Sequence, residues 1–359
     1  MSGPLVVAAA LLLGRKSANP SGRFHRVTSM FIVLVAPILA GCASNDSSDA
    51  SEEQSGLLLL DSRLLHGVTG AQAVVVGDRV ILVGGVSDAE PFAWQSFLPS
   101  TGEVRALNAS SWNRGLAWGS AVWNPASGRV QVAELASRLE GYEAYSEPGG
   151  YHADGWREHP ELRSWTYDPI GDRSDPGQSG YELRAWSPGL AWLNSSWLAF
   201  GGIQDNSPVD LVVRLPGRLE VAHMPMPVSQ AQTVAVEDSV YVVLGRTTDD
   251  VSHEILRYDD ASSQVLRMNA SLPAEYEYDG TETATDGKDL YFFGVARKTD
   301  NATLILRYDS RQDAIVLEPA TFPHALHHPA VAWMNDVFYV LGGSTDAQAS
   351  MEIWRYRPA

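Results

Sequence analysis

A phrase that recurs along the chain constrains its fold more than any other feature of the sequence. In the C-terminal copy, the apolar run Val337–Leu341 ends at Gly342-Gly343, and a loop of small and polar residues leads to a second run, Ile353–Tyr356. Short apolar runs that end at glycine and at polar turn residues indicate antiparallel β-strands. In the last three copies one glycine recurs every 49 residues, at Gly245, Gly294 and Gly343. A regular period of this length indicates a chain of repeated structural units.

Six copies of the second strand of this unit can be recognised. They are Arg79–Val83, Arg129–Glu134, Ser196–Phe200, Ser239–Leu244, Asp289–Phe293 and Asp336–Leu341. The third strands repeat a run that contains tyrosine, in Ser164–Pro169, Ile255–Asp259, Ile305–Asp309 and Ile353–Tyr356. Four short strands in each unit of about 45–50 residues are typical of a β-propeller. The sequence therefore predicts an all-β fold, a six-bladed β-propeller over residues 56–359.

The two ends of this region predict how the ring closes. The last unit stops after its third strand, so its blade lacks a fourth strand. Leu57 lies 27 residues before the glycine pair of the first unit, and Ile315, in a fourth strand, lies 27 residues before the pair of the last unit. Leu57–Leu60 is therefore the predicted fourth strand of the last blade. This N-terminal strand would cover the edge that an open ring leaves exposed.

With these residues in view, the chain resembles kelch-repeat propellers. Their units combine an apolar strand, a double glycine, a spaced tyrosine and a later tryptophan. The resemblance extends from Leu57 to the C-terminus and implies four-stranded blades around a central channel. The glycine pair is incomplete in three of the six units, and the late tryptophan is usually replaced by an aliphatic residue, as in Val104, Val265 and Ile315.

The N-terminus carries an export signal. Arg23 and Arg26 precede the apolar run Met30–Leu39, which is too short to cross a bilayer because a crossing needs about 20 apolar residues. The run ends in Leu39-Ala40-Gly41-Cys42, which resembles the lipobox of bacterial lipoproteins. The resemblance implies that Cys42 is lipidated and becomes the first residue of the mature protein. The alternative is that Cys42 is an ordinary small residue near a signal cleavage site.

The cysteine content and the net charge limit which kinds of cross-link and partner the exported protein can have. We expect a lipoprotein signal peptide over residues 1–41, a flexible acidic tether over 42–55 and the propeller domain over 56–359. Cys42 is the only cysteine, so the exported domain holds no internal disulfide. Once the signal is removed, 22 basic residues face 43 acidic residues. Such a surface repels nucleic acid and anionic lipid, so we expect no nucleic-acid partner and membrane contact through the lipid anchor alone.

An aromatic insertion marks one face of the predicted ring. In a four-stranded blade, the loop between the second and third strands emerges on the same face as the connection into the next blade. The insertion Ser137–Leu162 belongs to such a loop in the second unit. Its candidate binding residues are Tyr142, Tyr145, Tyr151, His152 and Trp156. Because Tyr and Trp can stack and hydrogen-bond at once, the insertion is either a platform for a sugar or a partner, or a lid packed on the blades.

Polar residues around the predicted channel mouth form a second candidate set. They are His66, Arg114, Arg184, Arg246, Glu282 and His327. Arg114, Arg184 and Glu282 could recognise a carboxylate or transfer a proton at a sugar. The alternative is that they form structural salt bridges between blades. His324, His327 and His328 could offer metal nitrogens, but side chains alternate along a strand, so no metal site is predicted.

The tryptophans of the first strands have a different expected role. Because they lie on apolar strands, we expect them to belong to the core. Examples are Trp118, Trp192 and Trp333.

These features favour a binding or scaffold module that acts as a monomer without a cofactor. The expected ligand is a small molecule, a glycan or a protein. No Gly-rich phosphate loop, nucleophile elbow or zinc-protease motif occurs in the sequence, so no catalytic residue is assigned. The copper oxidases of the kelch class need a cysteine crosslinked to tyrosine, but Cys42 is assigned to the lipid.

Two other functions remain open. One is an enzyme that acts on a sugar acid, similar to the kelch-type sialic-acid mutarotases of the bacterial periplasm, with Arg/Glu pairs at the channel mouth. The other is a carbohydrate-binding module without turnover. Residues of the channel mouth that converge within hydrogen-bonding distance would favour the enzyme, and an exposed aromatic shelf on the insertion would favour binding.

The lipobox predicts the behaviour of one variant. Cys42→Ser removes the thiol that accepts the lipid, so we expect the protein to leave the membrane fraction or to accumulate as an unprocessed precursor. Fractionation and the mobility of the product in gels measure both outcomes. A variant of mature size that stays in the membrane fraction would refute the assignment of Cys42.

Overall fold

The computed structural model describes residues 56–87, 94–107, 120–136, 161–175, 181–182, 187–217, 219–248, 250–300, 302–345 and 348–358. Within these ranges the chain forms β-strands, turns and loops, and they contain no helix long and apolar enough to cross a membrane. Six antiparallel sheets, each with four main strands, form the six blades of a β-propeller. The predicted fold class is therefore confirmed. The predicted signal peptide, Cys42 and the tether lie outside the described residues.

The strands follow one another blade by blade, from the central channel outward. The chain begins with β1 (Gly56–Arg63). Blade 1 contains β2 (Gln72–Val76), β3 (Arg79–Val83), β4 (Gln95–Leu98) and β5 (Glu103–Ala106). Blade 2 contains β6 (Ser120–Asn124), β7 (Arg129–Ala136) and β8 (Glu161–Asp168), with β9 (Arg173–Asp175) and β10 (Tyr181–Glu182) on its outer edge. Blade 3 contains β11 (Gly189–Leu193), β12 (Ser196–Phe200), the short β13 (Ile203–Gln204), β14 (Ser207–Leu215) and β15 (Leu219–Val228).

The second half of the ring repeats this order. Blade 4 contains β16 (Gln232–Val236), β17 (Ser239–Val243), β18 (Glu254–Asp259) and β19 (Gln264–Ser271). Blade 5 contains the short β20 (Tyr276–Glu277), β21 (Glu282–Thr285), β22 (Leu290–Arg297), β23 (Thr303–Asp309) and β24 (Ala314–Phe322). Blade 6 contains β25 (Ala330–Met334), β26 (Val337–Leu341), the hairpin of β27 (Ser344–Thr345) and β28 (Gln348–Ala349), and β29 (Glu352–Arg357).

The N-terminal strand closes the ring, as predicted. β1 pairs antiparallel with β29 and supplies the fourth strand of blade 6, with Leu57 opposite Tyr356. The chain then crosses to blade 1, and on the way the carbonyl of Val68 accepts a hydrogen bond of 2.7 Å from the backbone N–H of Gly343. The first and last blades are therefore joined by both the sheet and the connection that follows it.

The core is divided into apolar clusters between neighbouring blades. Each of the six seams between blades holds one such cluster. In five seams an aromatic ring of one blade contacts a ring of the next at 5.0–6.0 Å between centroids. The pairs are Trp94–Tyr167, Phe200–Tyr258, Tyr241–Tyr308, Phe293–Tyr356 and Tyr339–Phe97. Because the burial is shared around the ring, each blade depends on both of its neighbours.

The repeated tyrosine of the third strand fills these seams. Tyr167, Tyr258, Tyr308 and Tyr356 are all buried, and in blades 1 and 3 Phe97 and Leu215 occupy the same register. A buried phenol needs a hydrogen-bond partner. The hydroxyl of Tyr167 lies 2.6 Å from a carboxylate oxygen of Asp172, and that of Tyr308 lies 3.1 Å from Asp313. The run that contains tyrosine is thus explained by an apolar ring between blades and a carboxylate at its edge.

The double glycine ends the second strand where the neighbouring connection crosses it. Gly342 has a φ of +67°, and a Cβ at this position would overlap the carbonyl oxygen of Val68. Both reasons favour glycine, since it tolerates positive φ and allows close approach. In blade 4, Leu244 stands at the equivalent position and itself has a φ of +56°.

Two sequence predictions differ from the structure in detail. β8 begins at Glu161, so the last two residues of the predicted insertion belong to a strand, and residues 137–160 lie outside the described ranges. Trp192 and Trp333 do lie on first strands, but both are only partly buried. They pack against the edges of the clusters between blades. Trp118 lies outside the described residues.

Ring closure predicts the effect of two deletions. Removing Gly56–Asp61 strips the fourth strand from blade 6 and bares the edge of β29, so we expect most of the stability of the domain to be lost. Removing residues 43–55 should leave the unfolding midpoint nearly unchanged. Urea unfolding of both variants measures the contrast, and equal midpoints would contradict the closure.

Candidate functional site

The innermost strands form the wall of the central channel. β2, β6, β11, β16, β21 and β25 each contact the innermost strands of the two neighbouring blades. Bridges join the connection into a blade to the loop between its second and third strands, at Thr69–Val86, Ser229–Arg246 and His327–Ser344. These two kinds of loop therefore share one face of the ring, as predicted. We call it the loop face.

The first residues of the innermost strands form one level at the loop face, which we call the mouth level. They occupy the same register because each pairs with the last ladder residue of its second strand. They are Gln72, Ser120, Gly189, Gln232, Glu282 and Ala330. Three of them, Gln72, Gln232 and Glu282, carry long hydrogen-bonding side chains. A level of this kind offers several donors and acceptors to one ligand in the channel mouth.

Glu282 and Gln72 meet across a blade. The amide of Gln72 lies near enough to the Glu282 carboxyl to lower its pKa, although Glu282 belongs to blade 5 and Gln72 to blade 1. Blade 6 lies between them, and at the mouth level it presents only the small, buried Ala330. The proximity of Glu282 and Gln72 therefore depends on the order of the blades in the closed ring.

Glu282 has an unusual acidity for a carboxyl group. Burial raises its pKa from the ordinary 4.5 to about 8, while the hydrogen bond from Gln72 acts in the opposite direction. The effect of burial on the pKa is larger, because the charged carboxylate loses more hydration on burial than one amide donor replaces. Near pH 7 most of the carboxyl is thus protonated, so Glu282 can donate a hydrogen bond as well as accept one.

The seam between blades 4 and 5 holds three polar atoms without partners among the described residues. The amide nitrogen of Gln232 donates to the carbonyl of Thr281, but its Oε1 has no hydrogen-bond partner. The hydroxyls of Thr281 and Thr283 also have none, although these residues are only 1% and 8% exposed. A buried polar group without a partner costs about 1–3 kcal/mol. The three atoms thus carry a cost that the described residues do not offset.

The direction of the threonine side chains follows from the neighbouring residue. Ala284 packs in the cluster between blades 5 and 6. Since side chains alternate along a strand, Thr283 faces blade 4, where Gln232 lies on the first position of β16. Glu282 faces the other way, toward blade 6 and Gln72. The two sides of one strand thus contribute to one polar region at the channel mouth.

The histidines of the connection into blade 6 contact protein groups. Nε2 of His324 lies 2.8 Å from Oε2 of Glu352, and Nδ1 of His327 lies 3.4 Å from the carbonyl oxygen of Asp279. Burial lowers the pKa of His328, and the nearby Asp279 acts against that shift. Within the described ranges, no group of three His, Cys, Asp or Glu side chains is arranged to hold a metal ion.

The remaining predicted site residues fall into two groups. His66 lies in the connection from β1 to β2, where the amide of Gln95 hydrogen-bonds its backbone N–H and carbonyl. Arg246 is exposed on the loop face, and its backbone pairs with Ser229. The others lie outside the described residues, and so remain predictions. They are Arg114, Arg184, Tyr142, Tyr145, Tyr151, His152 and Trp156.

Sequence reasoning missed four polar residues of the site. They are Gln72, Gln232, Thr281 and Thr283. A signal for one of them is present in the spacing, because Gln72 lies twelve residues before Gly84, just as the predicted Glu282 lies twelve residues before Gly294. Counting back twelve residues also gives Gly189 from Gly201 and Ala330 from Gly342, but it does not give Gln232.

Ion pairs away from the channel serve the blades themselves. Arg307 lies 2.8 Å from Glu318 and 2.9 Å from Asp289. The hydroxyl of Tyr356, in blade 6, donates to Glu318, in blade 5, at 2.7 Å. This cluster joins two blades, which is the structural role considered for charged residues in the sequence.

The acidity of Glu282 predicts a dependence of stability on pH. Between about pH 4.5 and 8 the folded protein keeps a proton that the unfolded chain has lost, so the free energy of unfolding falls as pH rises through this window. Glu282→Gln removes the titrating carboxyl, and with it this contribution to the pH dependence of the free energy of unfolding. We expect the decrease between pH 5 and pH 9 to shrink by about 2–4 kcal/mol, since one pKa unit corresponds to ~1.4 kcal/mol and the side chain is partly accessible.

Urea unfolding at pH 5, 7 and 9 measures this difference. The control is Glu237→Gln, in an exposed turn of blade 4, which should unfold with the pH dependence of the parent protein. If Glu282→Gln also keeps the full pH dependence, the carboxyl of Glu282 is not protonated in the folded protein at neutral pH.

The chain was also compared with known proteins. No protein-family model matches it, and no curated protein does. The resemblances to kelch repeats and to the lipobox therefore remain predictions from the sequence. The six-bladed β-propeller itself is consistent with a binding or scaffold module.

Proposed function

We propose that this protein is a membrane-anchored, extracytoplasmic binding module that holds a polar ligand in the mouth of its channel. The observation that carries the proposal is the mouth level, where Gln72, Gln232 and Glu282 share one register around the channel. Concave sites with a few convergent polar groups are typical ligand sites. The ligand is a small molecule or a glycan, and protein partners would contact the surrounding loops.

The blades keep these side chains in place before a ligand arrives. Six apolar seams hold the innermost strands against one another, and the hydrogen bond from the amide of Gln232 to the carbonyl of Thr281 orients one of the three side chains. A site that is ordered in advance loses less conformational entropy on binding. This rigidity supports a binding role for the mouth level.

The position of β1 supports an anchored arrangement. β1 ends at Arg63, and the chain after it reaches the loop face, where the N–H of Leu64 donates to the carbonyl of Met351 at 2.9 Å. Gly56, at the start of β1, is therefore on the face opposite the loops. The tether to a lipid at Cys42 would therefore join the described domain at Gly56.

A second candidate function is proton transfer on a sugar acid. It is supported by the raised pKa of Glu282, because a carboxyl that is protonated near neutral pH can serve as a general acid. The sequence would pair it with Arg114 and Arg184. Turnover of a sugar acid that Glu282→Gln abolishes would establish this enzyme function in place of simple binding.

The binding function is tested on the lipidated protein in detergent micelles. A panel of glycans and small metabolites is screened by thermal shift, and hits are titrated by calorimetry. We expect the double variant Gln72→Ala/Gln232→Ala to weaken binding of the hits at least tenfold, because two sets of hydrogen bonds are lost. The melting temperature should change by only a few degrees, since neither side chain is part of an apolar cluster.

The matched control is Gln264→Ala. Gln264 is exposed at the start of β19, an outer strand, so this variant loses the same atoms far from the channel. It should bind like the parent protein. Full binding by the Gln72/Gln232 variant would instead exclude the mouth level as the ligand site.

A further inference from the structure

We propose that the channel mouth recognises a neutral saccharide, and that the seam of Gln232, Thr281 and Thr283 binds one of its hydroxyl groups. This inference rests on the proposed binding function and names its ligand class. It begins from the three polar atoms that have no partner within the described part of the chain.

The chemistry of the seam favours a hydroxyl group over an ion. Oε1 of Gln232 can only accept a hydrogen bond, whereas the threonine hydroxyls can donate and accept. The ligand group must therefore donate to Oε1 of Gln232, and an alcohol can do so while it accepts from a threonine hydroxyl. A carboxylate would be an acceptor only, and it would leave Oε1 of Gln232 without a donor. It would also be repelled by Glu282 whenever that residue is ionised.

A threonine in the preceding blade shows that a hydroxyl at this register can find a partner within the protein. Thr233 occupies the second position of β16, and Thr283 occupies the same position of β21. The hydroxyl of Thr233 donates to the carbonyl of Leu190, in the preceding blade, at 2.6 Å. The fold can therefore satisfy a threonine at this register, and at Thr283 it does not.

Partly exposed tryptophans lie near the far end of three innermost strands, where they also pack against the clusters between blades. Trp123, Trp192 and Trp333 lie at the fourth position of their innermost strands, and all three are partly buried. Three residues separate this level from the mouth level, a distance of about 10 Å along a strand. Indole rings can pack against the apolar face of a pyranose. A ligand with hydroxyls at one end and a sugar ring at the other thus matches a short, neutral oligosaccharide.

The test separates binding from folding by removing single hydroxyls. Thr283→Val keeps the shape of the side chain and deletes a buried group that has no protein partner. We expect the affinity for neutral saccharides to fall about tenfold, because a ligand hydroxyl loses its partner. The melting temperature should stay equal or rise, since no hydrogen bond within the protein is lost. The probes are neutral di- and trisaccharides, their deoxy analogues and the matching uronic acids.

Thr233→Val is the matched control. It removes the same hydroxyl at the same register, but here the hydrogen bond to Leu190 is lost. We expect a lower melting temperature and unchanged saccharide affinity. A ligand subsite predicts that Thr283→Val weakens binding without loss of stability, and that Thr233→Val lowers stability without loss of binding. A role in packing alone would lower the stability of both variants.

Other results would overturn the inference. If Thr283→Val binds saccharides like the parent protein while Gln72→Ala/Gln232→Ala does not, the seam subsite is wrong and the binding site at the mouth level stands. If uronic acids bind more tightly than neutral sugars, or only other metabolites bind, the ligand class is wrong. If no variant at the channel mouth alters any binding, both the subsite and the proposed function fail.

Discussion

The pairing of β1 with β29 is the interaction on which the rest of the structure depends. It completes blade 6, and the chain that follows ties blade 6 to blade 1 through Val68 and Gly343. Each apolar seam needs a blade on both sides, so an open ring would expose the apolar faces of blades 6 and 1 that now meet in one seam. The closed ring also sets the order of the innermost strands. The contact between Glu282 and Gln72 exists because of that order.

The sequence predicted the repeated parts of the fold because they are local. β3 and β12 have the bounds expected from their apolar runs, and the count of blades follows from the spacing of the glycines. β22 continues past its predicted end at Phe293, since a bulge between Phe293 and Val295 lets the strand run through Gly294 to Arg297. Such bulges depend on the partner strand, which an apolar pattern does not report.

The candidate site was only partly predictable, for a related reason. Glu282 was predicted at the channel mouth, because it is a charged residue in a predicted connection between blades. Gln72 does not stand out, and its contact with Glu282 spans a blade that separates them in the ring. The polar atoms at Thr281 and Thr283 are noticeable only once their surroundings show no partner for them. A register alignment finds the level, and three-dimensional packing is needed to find the unsatisfied groups.

Two blades of this propeller differ at one equivalent position. Thr233 and Thr283 are the same residue type at the same register, yet one hydroxyl is satisfied by the preceding blade and the other is not. Valine at Thr283 would spare the fold a cost of about 1–3 kcal/mol, so stability alone gives no reason for threonine there. Beside it, Glu282 adds a second cost, because its raised pKa favours a proton in the folded state and weakens the fold at alkaline pH. Thr283 and Glu282 are thus two neighbouring residues at the channel mouth that make the fold less stable. Residues of this kind are expected where a repeated scaffold carries a binding site.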